Sequence, residues 1–261
     1  MKSTGTREWA AHSANILNGC SHNCLYCYAH AMSVRFGRLP TGGWKNETLK
    51  PGILQKSVVT KKDRVMYPTA HDITPQHLPE SIAFIEQQLA AGNHLLIVSK
   101  PHLKCVEEIC RRFVGQKGQI TFRFSIGSID DAVLSFWEPR APGFDERLEC
   151  LKWAHAAGFK TGVSVEPMLE GDIDRLVQAV SPYVNDSIWL GKINRLRGNL
   201  TFNGYTTSDV LQRAERLEQS QNDDAIRRLY KTYKSDPKVK FKESIKRVVG
   251  LKISSKPGAD E

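Results

Sequence analysis

Short hydrophobic runs and amphipathic helical patterns alternate along most of this 261-residue chain. A run of strand length followed by a helix with one apolar face is typical of a βα unit. Six runs end near polar, Gly or Pro residues, and they read ANILNG, RVMYPTA, HLLIVSK, ITFRFSIGS, KTGVSVEP and SIWLGKIN. Because parallel strands need long right-handed crossovers, this alternation predicts an α/β fold with a parallel sheet.

The segments between these runs carry helix start and stop signals. PESIAFIEQQLAAG begins with Pro79 and ends at Gly92, and PHLKCVEEICRRFVG follows Pro101. FDERLECLKWAHAAG and DIDRLVQAVSPYV have the same apolar periodicity. Six such units form a partial barrel or an open doubly wound sheet, and periodicity does not separate the two. In both, ligands bind at the carboxyl ends of the strands, so we expect the functional residues just after the strands.

The composition and the start of the chain favour a folded protein without a membrane segment. Apolar residues make up 40% and charged residues 25%, which is typical of globular proteins. The first residues lack the apolar core of a signal peptide, and no run of about 18 apolar residues occurs. We therefore expect a cytoplasmic protein, in which clustered cysteines bind metal or perform chemistry more often than they form disulfides.

The region beyond about Leu196 differs from the rest because it reads as two or three polar helices. We divide the chain into a barrel over 1–195 and a helical extension over 196–261, which ends in a tail expected to be disordered. The formal net charge is +9, and residues 227–252 hold ten Lys or Arg against two acidic residues. Cations mixed with Tyr230, Tyr233 and Phe241 suit phosphates and stacked bases. The region is thus either a nucleic-acid partner site or a solvated surface.

Three cysteines lie on the loop after the first predicted strand, where Cys20, Cys24 and Cys27 form C-x3-C-x2-C. Three thiolates on one tight loop can hold three irons of a [4Fe-4S] cluster and leave the fourth iron open. A zinc site with His22 or His30 as its fourth ligand would use the same cysteines. Structural zinc usually joins two separated ligand pairs, and no second pair is evident. The other cysteines fall inside amphipathic helices and are expected in the core: Cys105, Cys110 and Cys150.

The cysteine spacing, with an aromatic residue at Tyr26, resembles that of radical S-adenosylmethionine (SAM) enzymes. The segments YPTAHDITP, LLIVSKP, FRFSIGS, WEPRAP and SVEPML are similar to the branch that contains spore photoproduct lyase. The resemblance covers roughly residues 16–194. It implies a partial (β/α)6 barrel, a [4Fe-4S] cluster, SAM on its open iron, and a 5′-deoxyadenosyl radical that abstracts hydrogen from a substrate. It also implies a reductant such as flavodoxin or ferredoxin.

The resemblance assigns cofactor contacts to residues after the strands. Tyr26 would contact the adenine region of SAM, Lys100 would pair with its carboxylate, and Ser125 would offer that carboxylate a hydroxyl. Many members bind the SAM amino group through a Gly-Gly-Glu segment. Here Thr69 and Ala70 stand at that place, so their backbone is the predicted substitute.

Further polar residues follow the predicted strands. His71 and Asp72 are predicted to take part in proton transfer or to orient the substrate, and the alternative for Asp72 is a helix or turn cap. Glu166 ends the fifth predicted strand and is a third catalytic candidate. Glu138, Arg140 and Arg147 lie near the loop after the fourth predicted strand. They are predicted to clamp the SAM ribose or a polar substrate, or to form a structural ion-pair corner.

One position departs from the lyase pattern. Aligned on Asp72-Ile73, the cysteine that returns a hydrogen atom in spore photoproduct lyase falls at Thr69, whose O–H bond is too strong for that step. We therefore predict a lyase-like or other radical modification, akin to DNA repair, of a nucleic acid or nucleotide, by a route different from that of the lyase. The alternative is a zinc-stapled nucleic-acid-binding protein without turnover.

Overall fold

The chain folds around a parallel sheet of seven strands, in a computed structural model that describes residues 3–39 and 42–259. The strands of the described residues are β1 (His12–Ser13), β2 (Leu17–Asn18), β3 (Thr48–Leu49), β4 (Val65–Tyr67), β5 (Leu95–Ser99), β6 (Ile120–Ser125), β7 (Lys160–Val165), β8 (Ile188–Leu190) and β9 (Val239–Phe241). The main sheet has the order β1-β4-β5-β6-β7-β8-β9, and every neighbouring pair is parallel.

Because this order follows the chain without reversing, the crossovers all proceed in one direction, as in a barrel rather than a doubly wound sheet. The predicted fold class is confirmed. The α-helices are α1 (Tyr28–Arg35), α2 (Leu78–Ala90), α3 (Leu103–Arg112), α4 (Asp131–Trp137), α5 (Phe144–Ala156), α6 (Asp174–Val180), α7 (Leu196–Asn203), α8 (Ser208–Ser220), α9 (Asp223–Tyr233) and α10 (Glu243–Val249). None of the described helices combines the length and the apolar character that a membrane crossing requires.

The first predicted strand, ANILNG, is wrong in its position. The strand of the main sheet is β1, and Ala14 N still donates to Met66 O (2.9 Å) before the chain leaves the sheet. The backbone N–H groups of Ile16 and Leu17 then donate to Nε2 of His71, at 3.1 and 3.3 Å, rather than to a neighbouring strand. Strand β2 instead pairs antiparallel with β3 in a separate ribbon.

The other five predicted strands are confirmed, but the structure adds β9, which we had expected to be helical. Strand β9 pairs parallel with β8. Val239 and Phe241 pack in the main core, and Lys240 and Lys242 alternate with them. This strand places part of the predicted extension in the main sheet, and the boundary at residue 195 stays a prediction.

The two faces of the sheet have different partners. One face packs under the helices in the largest core, which includes Cys105, Cys110 and Cys150. On the other face, the amino-terminal segment brings Trp9 against Trp189, with ring centroids 5.7 Å apart. The tail that we expected to be disordered contacts this segment: Ser3 N donates to Ser254 O (2.8 Å), and Gly258 N donates to Arg7 O (2.7 Å).

Candidate functional site

The three predicted metal ligands share one tight loop between β2 and α1. Gly19 opens the loop with φ +81°, and a Cβ there would lie 2.6 Å from the carbonyl oxygens of Trp44 and Asn46. Cys20 N donates to Trp44 O (2.7 Å), and the thiol of Cys27 caps α1 by accepting the N–H of His30 (3.4 Å). The conformation thus depends on a glycine and on close backbone approaches.

Burial sets the protonation of the three thiols. Cys20 and Cys24 are buried and Cys27 is half-buried. Burial is the main reason that the pKa of each thiol is raised, and the carboxylate of Asp72 raises the pKa of Cys20 further. Thiols in such surroundings ionise when a bound metal replaces the proton.

Two aromatic rings, those of His30 and Trp44, lie beside the cysteine loop. His30 stacks on Trp44 with ring centroids 5.4 Å apart, and Trp44 packs with Cys20 and Cys27. Within the described residues, neither ring nitrogen of His30 nor Nε1 of Trp44 has a hydrogen-bond partner, although all are buried. Buried polar atoms are normally paired. Three thiols with unpartnered nitrogen atoms beside them fit an iron-sulfur cluster, whose sulfurs accept hydrogen bonds.

Asp72 joins the cysteine loop to the end of β5. Its Oδ1 accepts from Ser99 Oγ (2.8 Å) and from Lys100 N (2.7 Å). Its Oδ2 lies 2.9 Å from His22 Nδ1, 3.7 Å from Cys20 Sγ and 3.9 Å from Lys100 Nζ. Burial alone would raise the pKa of Asp72, but Lys100 and His22 keep it well below its usual value. An ionised, fully engaged carboxylate suits a positioning role, and its catalytic role stays a prediction.

A histidine pair that the sequence reasoning missed continues from Asp72 toward solvent. His22 Nε2 lies 2.8 Å from His102 Nε2, and His102 Nδ1 lies 3.8 Å from an oxygen of Glu146. The residues come from the cysteine loop, the start of α3 and α5. No local sequence signal connects them, since His102 lies 80 positions after His22.

His71 is occupied by backbone groups on both sides of its ring. Nε2 accepts the two N–H groups that follow β1, and Nδ1 donates to the carbonyl oxygen of Asp72 (2.9 Å). Burial lowers the pKa of His71 to about 4, so the ring is neutral. This geometry favours a structural role, and the predicted proton transfer by His71 is left as a prediction.

Asn15 holds the loop after β4, where Thr69 and Ala70 lie. Its Oδ1 accepts from Thr69 N (2.8 Å) and Ala70 N (2.7 Å), and its Nδ2 donates to Thr69 Oγ1 (2.7 Å). The carbonyl oxygen of Thr69 accepts a hydrogen bond from the hydroxyl of Tyr28. The backbone of this loop is therefore fixed by Asn15, just after β1, and by Tyr28 on α1.

A buried ion pair connects Tyr26 to β6. The Tyr26 hydroxyl donates to Glu138, and Glu138 Oε2 lies 2.6 Å from Arg147 Nη2. Arg147 also donates to the carbonyl oxygen of Ser125 (3.1 Å). Burial alone would raise the pKa of Glu138, but Arg147 and Lys100 lower it, so the carboxylate is ionised. Arg140 is exposed, so the structure brings Glu138 together with Arg147 rather than with Arg140.

Glu166 pairs with a lysine from the carboxyl-terminal region. Its Oε2 lies 3.3 Å from Lys242 Nζ, which also lies 2.9 Å from Glu8 Oε1. Lys242 is buried, whereas the side chain of Glu166 is 23% exposed. The alternating pattern KVKFK signals a strand that would place Lys242 here, and our helix interpretation overlooked it.

Helix α7 supports the cysteine loop through two asparagines. Asn203 Nδ2 donates to the carbonyl oxygens of Leu25 (2.9 Å) and Cys27 (3.0 Å), and Asn199 Nδ2 donates to that of Tyr26 (3.1 Å). The spacing of four residues puts both amides on one face of the helix. That spacing was visible in the sequence, but its target was not.

The sequence profile described as the radical SAM superfamily matches residues 14–180, which is more than half of the chain. The chain belongs to the radical SAM superfamily. Superfamily members typically use a [4Fe-4S] cluster and SAM, and the matched region contains the three loop cysteines.

Known proteins similar to this superfamily member agree with the fold. Solved structures of spore photoproduct lyase, one of them a mutant with dinucleoside spore photoproduct, match with a TM-score of 0.57 at 18% identity. That match covers 92% of this chain and 78% of the lyase. Streptococcus suis SuiB bound to S-adenosylmethionine matches with a TM-score of 0.54 at 12% identity, over 95% of this chain and 54% of SuiB. The predicted resemblance to the superfamily is confirmed, and the lyase structures share the fold of this chain.

A curated relative, the uncharacterized protein ORF301 of Acidianus two-tailed virus, is 31% identical over 166 residues, which are 59% of this chain. The match spans about half of that relative, 54% of its length.

Proposed function

We propose that this protein is a radical SAM enzyme in which Cys20, Cys24 and Cys27 hold a [4Fe-4S] cluster. The observation that carries the proposal is the loop of two buried thiols and one half-buried thiol, beside ring nitrogen atoms that have no partner among the described residues. When bound, the reduced cluster supplies the electron that cleaves SAM to a 5′-deoxyadenosyl radical, which abstracts hydrogen from the substrate.

The charged residues beside the loop are suited to holding SAM. Burial alone would lower the pKa of Lys100, but surrounding anionic groups raise it well above its usual value, so the ammonium is charged. Lys100 is the proposed partner of the SAM carboxylate, and Asp72 fixes its backbone N–H. Ser125, whose own carbonyl oxygen accepts a hydrogen bond from Arg147, offers its hydroxyl to the same SAM carboxylate.

Other proposed cofactor contacts come from the walls of the site. Tyr26, whose hydroxyl is anchored on Glu138, presents its ring toward the adenine region. Thr69 and Ala70 contribute backbone groups for the SAM amino group from a loop that Asn15 holds in place. The exposed Arg140 retains its proposed contact with the ribose or a polar substrate.

The proposed substrate is a nucleic acid or nucleotide, and the proposed electron donor is a flavodoxin or ferredoxin. Glu166, held by Lys242, is the proposed group that orients the substrate. Thr69 distinguishes the reaction from that of the lyase, because a hydroxyl does not return a hydrogen atom to a substrate radical. We thus place the activity among lyase-like or related radical modifications, without the lyase's own final step.

Anaerobic purification tests the cluster directly. We expect a brown protein that dithionite bleaches and that releases 5′-deoxyadenosine from SAM. Alanine at any one of the three loop cysteines should abolish both iron binding and SAM cleavage, whereas Cys105→Ala, in the core, should preserve both. A colourless protein that contains zinc would support the nucleic-acid-binding alternative and refute the enzyme.

A further inference from the structure

A second basic region lies between α1 and β4, close to the cysteine loop. Residues 35–56 contain five Lys or Arg and a single acidic residue, Glu47. We propose that this region binds a single strand of nucleic acid and leads it to the site. We call its cations and their exposed ring the crossover patch, which consists of Arg35, Phe36, Arg38, Lys45, Lys50 and Lys56.

The cations of the crossover patch have no carboxylate partners in the part of the chain that the structure describes. Among the described residues, none of the five forms an ion pair, and Glu47 is buried with its oxygens accepting from Ser21 N and Thr74 Oγ1, both at 2.8 Å. Four exposed arginines elsewhere do pair with neighbouring acids: Arg197 with Glu218, Arg213 with Asp209, Arg227 with Asp224 and Arg111 with Glu108. The patch therefore presents an uncompensated positive field, which attracts polyanions.

The cations also crowd one another at Lys50. Burial lowers the pKa of Lys50, and the nearby charges of Arg38 and Lys56 lower it further. A phosphate group at this place would relieve that repulsion. Like charges held together without an internal counter-ion are expected where an external anion binds.

An aromatic and apolar stripe accompanies the cations. Tyr28 and Met32 on α1 and Phe36 just after it follow one another at intervals of four residues and are 52%, 41% and 55% exposed. The guanidinium carbons of Arg35 and Arg38 each lie 5.6 Å from the centroid of Phe36. Exposed rings beside cations are the combination with which proteins bind single strands, since every base offers a face for stacking.

The crossover patch borders the candidate site. Lys50 Nζ donates to the carbonyl oxygen of Asn15 (3.0 Å), and Asn15 holds Thr69. Tyr28, the first residue of the stripe, donates to the carbonyl oxygen of Thr69 and follows the cysteine loop directly. A strand on the patch thus lies next to the site. The inference that a bound strand is a substrate rests on the proposed function. The inference that the patch binds a strand does not depend on it.

The carboxyl-terminal region fits this role less well than we predicted. Lys242 and Lys246 are buried, and Lys238 donates to the carbonyl oxygen of Ser181 (2.8 Å). Arg247, which is exposed, pairs with Glu243. Several of the cations behind the sequence prediction therefore have internal partners or are buried.

The test measures binding of the full chain to a fluorescent oligothymidine by anisotropy over a series of salt concentrations. The patch variant replaces Arg35, Arg38, Lys45 and Lys56 with Gln and leaves the half-buried Lys50. The matched control replaces four exposed cations of the other region with Gln: Arg228, Lys231, Lys234 and Lys252.

We expect the patch variant to bind at least about tenfold more weakly, with a salt slope reduced by about 3, since a single strand releases about 0.7 counterion per neutralised phosphate. The control should bind within about twofold of wild type. Phe36→Ser should weaken binding about fivefold or more while preserving the salt slope, because it removes stacking and no charge. Equal melting temperatures establish that the variants are folded.

The release of 5′-deoxyadenosine with dithionite, in the absence of nucleic acid, separates the two proposals. The patch variant should retain this reaction at the wild-type rate; loss of it from every variant and from wild type would refute the proposed function alone. Equal binding by the patch variant and wild type would overturn the patch proposal. A patch variant that binds oligothymidine normally but is no longer reduced by flavodoxin would also overturn it, by assigning the patch to an acidic protein.

Discussion

Replacing Lys242 with methionine should destabilise the protein strongly. Its ammonium lies 2.9 Å from Glu8 Oε1, 2.9 Å from the carbonyl oxygen of Gly5 and 4.0 Å from the ring of Trp9. Lys242 is fully buried and Glu8 is 7% exposed, so methionine leaves a buried carboxylate without its cation. Breaking a buried pair in this way costs about 3–5 kcal/mol. For a chain of this size we expect the melting temperature to fall by about 10 °C.

Thermal and urea unfolding followed by circular dichroism measure this loss, with the exposed Lys234→Met as the control. Adding Glu8→Gln to Lys242→Met should recover part of the stability, because the orphaned charge is removed. Burial raises the pKa of Glu8 even with Lys242 present. In the variant, the stability that depends on protonated Glu8 is fully present below the ordinary carboxyl pKa and is lost as the pH rises through the raised pKa, so the deficit should grow over that interval and level off above it. A loss below about 1 kcal/mol, or an equal loss in the control, would refute the role of Lys242 as the counter-ion.

Three further changes test other parts of the fold. Burial alone would raise the pKa of Asp186, but Arg123 and hydrogen bonds lower it to about 2. Because the folded state holds this carboxylate ionised, about 2 kcal/mol of stability should be present above pH ~4 and lost as the pH falls toward ~2. Urea titrations at several pH values measure this pH dependence of the unfolding free energy, which should be absent in Asp186→Asn. If it persisted in that variant, it would belong to another group. Asn203→Ala should lower the iron retained after anaerobic reconstitution, because two loop carbonyls lose their donor; the exposed Gln212→Ala is the control, and equal iron in both would argue against a clamp. Gly19→Ala should cost more than about 1 kcal/mol in urea unfolding, since its φ is +81° and its Cβ would meet two carbonyl oxygens; wild-type stability would mean that the loop rearranges easily.

Periodicity predicted most of the sheet, because a buried parallel strand leaves an apolar run that needs no knowledge of its partners. Strand β9 has only three residues, and lysines alternate with its apolar residues. Its sequence therefore resembles that of the polar helices on either side. The error at the first strand has a different cause. Residues 16 and 17 find their hydrogen-bond acceptor in His71, more than fifty positions away, and local patterns carry no record of such a partner.

The residues of the candidate site likewise fall into those that local sequence patterns predict and those that they do not. Cys20, Cys24 and Cys27 are recognisable because their spacing is local, and Lys100 because it directly follows a strand. The side chains that surround them depend on contacts between distant segments: His102 reaches the cysteine loop from α3, and Asn203 from α7. Those contacts follow from the packing of complete helices, which sequence spacing does not specify.

The bond between Lys242 and the carbonyl oxygen of Gly5 spans 237 positions. During synthesis, the segment that contains Glu8 therefore leaves the ribosome long before Lys242, the cation that pairs with it. Contacts at such separation form late and slow the folding of a chain. Until β9 docks, Glu8 lacks its cation and the edge of β8 stays open, and we expect nascent chains at that stage to depend most on chaperones.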